Sequence, residues 1–107
     1  MKLTKKERKI FENNFNIYED SNSIEIEAWT NGGVDMLIYL DKEEEETATQ
    51  QFVNYINNFD IDEEIDIHRQ DKNYCNNFRI SESLQDFNNW IKWLKQIKKE
   101  LLKWLNI

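Results

Sequence analysis

A hydrophobic hairpin of period two, flanked by segments whose apolar residues recur every three to four positions, predicts an α+β domain. Its small antiparallel sheet of three to four strands carries helices mainly on one face. The hairpin uses both glycines of a chain that contains no proline, and the chain closes on a long amphipathic helix. The predicted order is α-β-β-α-β-(β)-α. With 107 residues, 39% of them hydrophobic and 13% aromatic, the chain supplies one core and not two.

The first helix opens at Thr4, whose hydroxyl caps it while Glu7 reaches back three residues later. Ile10, Phe11 and Phe15 form its apolar side, and its basic first turn opposes the helix dipole, so packing must hold it or it frays. After the polar stretch Glu19–Ser23, Ile24, Ile26, Ala28 and Thr30 alternate with Glu25, Glu27 and Trp29. Val34, Met36, Ile38 and Leu40 then alternate with Asp35, Leu37 and Tyr39. A three-residue loop, Asn31-Gly32-Gly33 with a left-handed Gly, sets the two aliphatic faces side by side, whereas a two-residue loop would set them apart. The other face then shows Glu25, Glu27 and Asp35 beside Trp29, Leu37 and Tyr39.

Asp41–Glu46 fits an acidic loop and helix start, and Phe52, Tyr55, Ile56 and Phe59 mark a helix from Thr47 to Phe59. Ile61, Ile65 and Ile67, alternating with Asp62, Glu64, Asp66 and His68, predict a turn and a third strand over Glu64–Arg69. Asp71–Asn77 is a polar connection, and Phe78-Arg79-Ile80 reads as a short fourth strand. Ser83 with Asp86 signals the start of the last helix, in which Phe87, Trp90, Leu94, Ile97, Leu101 and Trp104 form one stripe. That helix of about 23 residues is roughly 34 Å long, and its most economical role is to cover the sheet. Its rivals are a coiled-coil seam, short at three heptads, and a basic membrane-surface helix.

The net charge of −7 hides a segregation. Residues 1–9 carry +4, residues 92–107 carry +4, and the segment between carries −15. Such a balance repels nucleic acid and membrane surfaces and attracts basic partners, although solvation of a small surface accounts for acids equally well. The single Cys75 makes no internal disulfide, no run approaches a membrane span, and the charged N-terminus has no apolar stretch behind it. A soluble protein of a reducing cytoplasm is expected.

Catalytic and metal chemistry finds little support. Asp60-Ile61-Asp62-Glu63-Glu64-Ile65 opens like a calcium loop but has Ile65 where the turn needs Gly. His68 and Cys75 are too few soft ligands for zinc, and as a nucleophile pair they lack an orienting third residue. His68 fits a surface position on the predicted strand. With 21 acids, close carboxylate pairs are inevitable and carry no glycosidase signal. No enzyme, cofactor or metal is expected.

Three stretches resemble segments of small acidic proteins carried by phages and conjugative elements of low-GC bacteria. They are Glu27–Met36, Phe59–Asp71 and Ile80–Phe87, about a third of the chain. The abundance of Asn, Ile and Lys fits A/T-rich codons. The resemblance implies a setting that includes anti-CRISPR and antirestriction inhibitors, several of which mimic DNA. It implies no catalytic residues.

Mimicry has its own physical case. Cas nucleases and other nucleic-acid-handling proteins hold phosphates with Lys and Arg, which fixed carboxylates can occupy. Glu25 and Glu27 on one strand face stand about 6.6 Å apart by strand rise, and Asp35 joins them. Trp29 and Tyr39 supply apolar anchors. The second acidic candidate is Asp60, Asp62, Glu63, Glu64 and Asp66. The expected function is a non-enzymatic inhibitor that binds a basic nucleic-acid-binding protein, with no direct contact to nucleic acid or membrane, as a monomer or homodimer. The competing expectation is an acidic regulatory module, dimeric through the last helix.

If the closing stripe is core, Leu94→Asp unfolds the monomer. A lone buried carboxylate costs several kcal/mol against a total stability of about 5–15 kcal/mol. Thermal melting by circular dichroism should show the transition lost; a melting temperature like the parent's would reject the assignment.

Overall fold

The computed structural model describes residues 1–70 and 80–104. Over these the chain forms α1 (Lys5–Asn14), β1 (Asn16–Glu19), β2 (Ser23–Trp29), β3 (Asp35–Asp41), α2 (Ala48–Asn57), α3 (Ile61–Gln70) and α4 (Ile80–Lys103). The class is α+β, with an antiparallel sheet in the order β1-β2-β3. The element order is α-β-β-β-α-α-α.

The β2–β3 hairpin has the expected register. Ile24, Ile26 and Ala28 stand opposite Leu40, Ile38 and Met36, so the aliphatic faces coincide. Around Asn31-Gly32-Gly33, Thr30 N donates to Val34 O at 2.8 Å and Gly33 N to Thr30 O at 3.0 Å. Gly33 has φ +83°, the left-handed residue that a three-residue loop requires.

At α1 the capping box is complete. Thr4 Oγ1 accepts from Glu7 N at 3.1 Å, and Glu7 Oε1 accepts from Thr4 N at 3.1 Å. The other Glu7 oxygen accepts from Thr49 N at 2.8 Å and Thr49 Oγ1 at 2.7 Å, in the first turn of α2. One carboxylate, only 5% exposed, therefore satisfies donors at two helix starts. Behind it Phe11, Phe15 and Phe52 meet with ring centroids 5.7 to 6.4 Å apart. A second tie lies at the sheet edge, where Arg8 bonds both oxygens of Glu19 at 2.9 and 3.1 Å and Lys42 Nζ approaches at 2.7 Å.

Phe87, Trp90, Leu94, Ile97 and Leu101 of α4 are buried in one core with the inner sheet face and the phenylalanines of α1 and α2. That use of the stripe leaves none for a coiled-coil seam or a membrane surface. Trp104 departs from the stripe: it is 47% exposed, with Lys6 Nζ 3.4 Å from its ring centroid.

Two predicted elements are corrected and one strand is added. The third strand over Glu64–Arg69 is instead the helix α3. Asp60 Oδ1 caps it by accepting from Asp62 N at 3.0 Å and Glu63 N at 3.3 Å, and acids fill the first turn while His68 and Arg69 fill the last. Ile61 and Ile65, four apart, face inward, whereas Ile67 is 52% exposed, so the alternation was coincidental. His68 is accordingly on a helix, half-buried, with its ring stacked 5.7 Å from Phe87. The third strand of the sheet is β1, in a segment that the sequence left unassigned. Finally, Ser83 and Asp86 lie inside α4 rather than at its start. Of the proposed fourth strand, Ile80 belongs to α4 and 78–79 lie outside the described residues, as does the connection 71–77.

Glu7→Ala strands Thr49 N–H and its hydroxyl in the core and should lower the unfolding free energy by about 2–3 kcal/mol, with Glu7→Gln restoring part of it. Urea denaturation measures both; a loss below about 0.5 kcal/mol for Glu7→Ala would show that the shared carboxylate is dispensable.

Candidate functional site

Because the helices cover one sheet face, strand alternation exposes the other. It carries Asn16 and Tyr18 from β1, Glu25, Glu27 and Trp29 from β2, and Asp35, Leu37 and Tyr39 from β3. Tyr18, Trp29, Leu37 and Tyr39 are 54%, 58%, 51% and 59% exposed, an unusual density of large apolar groups in water. Glu25 stands between Tyr18 and Tyr39, Glu27 between Asn16 and Leu37, and Asp35 opposite Trp29. All five sheet residues expected from the sequence, Glu25, Glu27, Trp29, Asp35 and Tyr39, thus share one face.

Of the three carboxylates, Glu27 is held by neighbours other than cations. Tyr18 Oη donates to Glu27 Oε1 at 3.1 Å and Asn16 Nδ2 to the same oxygen at 3.5 Å. The bond to Glu27 pushes the Tyr18 phenol above its ordinary value. Asp35 Oδ1 is buried without a hydrogen-bond partner among the described residues. Desolvation, and then the diagonally neighbouring Glu27, push the Asp35 carboxyl up. Among the described residues no Lys, Arg or His forms a salt bridge with any of the three. By contrast Glu19, bonded by Arg8 and Lys42, falls to about 2.

The second cluster divides on α3. Asp60, Glu63 and Glu64 line a groove of about 350 Å³ together with Tyr39 and the α2 residues Gln51, Asn54 and Tyr55. Tyr39 therefore joins the sheet face to this acidic groove. Glu64 is half-buried, 3.5 Å from His68 Nε2, and desolvation raises its carboxyl above the ordinary range. Asp62 and Asp66 are exposed on α3 and do not line the groove. Tyr18 was missed: its four-residue strand shows its period only once its pairing with β2 is known.

The two basic ends of the sequence also meet. Lys5, Lys6 and Lys9 of α1 and Lys103 of α4 line a groove of about 610 Å³ with Ile10 and Trp104, opposed by Glu100 alone. Positive charge gathers where α1 meets the end of α4, while carboxylates occupy both the open sheet face and α3. Among the described residues no three His, Cys, Asp or Glu side chains group as metal ligands, and no helix is long and apolar enough to cross a membrane. No protein family, curated protein or solved structure matches the chain.

Asp35→Asn should raise the melting temperature at pH 7. The folded pKa of Asp35 lies above its unfolded value, so its proton favours the folded state and the charged form at neutral pH opposes it. The advantage of the variant should shrink as the pH falls toward about 4, where the unfolded carboxyl is also protonated. Glu19 acts in the other sense, its contribution being present above about 4.5 and lost as the pH falls toward 2. Melting curves across that range check the difference; equal melting temperatures at pH 7 would contradict it.

Proposed function

We propose that this protein is a non-enzymatic inhibitor that uses its open sheet face to occupy the nucleic-acid-binding surface of a basic protein, most sharply a Cas nuclease, by presenting carboxylates in place of phosphates. The observation that carries this reading is the set of Glu25, Glu27 and Asp35, without cationic partners among the described residues and embedded among exposed Tyr18, Trp29, Leu37 and Tyr39. A face built only for solubility would pair or scatter its acids and bury its aromatics. Carboxylates on a paired strand are preorganised, which lowers the ordering cost of binding. Aromatic anchors supply the desolvated contact that charge alone lacks. The acidic groove beyond Tyr39 extends the same surface toward Asp60, Glu63 and Glu64. The setting implied by the sequence resemblance points in the same direction. An acidic regulatory module dimerising through α4 finds less support, since the stripe it would use is buried.

The test is a nuclease protection assay across a panel of Cas effectors. The parent should protect DNA, and Glu25→Lys with Glu27→Lys should abolish protection while melting remains near the parent's. Glu44→Lys with Glu45→Lys, on the exposed loop before α2, should change it several-fold less, because that loop holds its carboxylates loosely. Binding should weaken steeply with salt yet leave a residual aromatic component. Protection of no effector by the parent would overturn the Cas assignment, and protection indifferent to Glu25 and Glu27 would move the site to the groove of α3.

A further inference from the structure

We propose that the pocket between the hairpin tip and α4 receives a guanidinium group, the side chain of an arginine on the partner protein. The pocket, of about 350 Å³, is lined by Trp29, Thr30 and Asn31 on the hairpin and by Asp86, Asn89, Trp90 and Trp93 on α4. Its distinguishing group is Asp86, a carboxylate only 9% exposed. Asp86 Oδ1 accepts from Gly32 N at 2.9 Å. A Cβ on residue 32 would come within 2.8 Å of Oδ2, so Gly32 is what lets the loop close on this carboxylate. Among the described residues no Lys, Arg or His forms a salt bridge with Asp86. Within that set Asp86 takes one hydrogen bond where the buried Glu7 takes three, and a nearly buried carboxylate short of donors is ordinarily paired with a cation, which points here to one supplied from outside.

Three indoles line the same pocket. Trp90 and Trp93 lie with centroids 5.3 Å apart at 49°, and Trp29 stands exposed at the rim. Indole faces attract cations more strongly than other aromatic rings do. A guanidinium is favoured over an ammonium because its plane can stack on an indole while its N–H groups donate to Asp86 and to the amide oxygens of Asn31 or Asn89. Trp29 belongs both to this pocket and to the acidic sheet face, so an arginine seated here lies at the edge of the surface described above. The identity of the donor as a partner protein rests on that reading, but the pocket chemistry does not.

N-acetyl-arginine amide tests the pocket without any partner protein. The Trp104→Phe variant leaves tryptophan only at Trp29, Trp90 and Trp93, so fluorescence reports this site alone. Saturable quenching in the millimolar range is expected, about tenfold weaker for N-acetyl-lysine amide. The isosteric, uncharged citrulline derivative should show none. Asp86→Asn keeps an acceptor oxygen for Gly32 N and should retain the hairpin while binding falls at least about tenfold. Trp29→Ala, at an exposed position, should also weaken binding, and it carries the test if Asp86→Asn fails to fold. Absence of saturation in the folded parent, equal binding of the citrulline derivative, or undiminished binding by folded Asp86→Asn would overturn the proposal. Because the probe is a single amino-acid derivative, failure to inhibit any nuclease leaves this result standing, and failure here leaves the sheet face to its own assay.

Discussion

The fold turns on one buried carboxylate. Glu7 links the start of α1 to the start of α2, two helices separated in the chain by the whole sheet. Each helix start presents unsatisfied N–H groups and the positive end of a dipole, so a single anion between them answers both. The basic residues around it in α1 would by themselves weaken that helix. Its capping box and its packing against Phe52 of α2 rest on Glu7 staying hydrogen-bonded and enclosed.

With the helices fixed in this way, the sheet is covered on one side only. A three-stranded sheet in water needs one apolar face packed for stability, and the other is available for chemistry that folding does not require. The cost is visible at Asp35, whose carboxyl is desolvated with Glu27 as its diagonal neighbour. Stability alone would favour a neutral side chain at that position.

The sequence made the hairpin legible because its loop length, glycine placement and alternation all specify one register. The capping box at Thr4 and Glu7 and the stripe through Leu94 were legible for similar reasons, since each is a local spacing rule. What escaped was decided by pairs distant in the chain. Ile65 and Ile67 imitate a strand, but Ile61 and Ile65 also satisfy a helical turn, and the Asp60 cap tips the balance. The strand β1 is too short to announce itself without β2 beside it. Of the site, the five sheet residues followed from parity, whereas the link from Tyr39 to Asp60, Glu63 and Glu64 needed the packing of α2 and α3. The partnership of Asp86 with Gly32 spans 54 residues and was read instead as a local helix start.

The meeting of the two basic chain ends has a kinetic consequence. With lysines gathered where α1 meets the end of α4 and carboxylates on the open sheet and α3, the protein carries separated charge in addition to its net charge of −7. The field of a cationic surface exerts a torque on such a molecule before contact, turning its negative pole inward over distances of about one Debye length, roughly 8 Å at physiological salt. Encounters with such a surface would begin already oriented, and the speed of capture would depend on charges that never touch the bound surface.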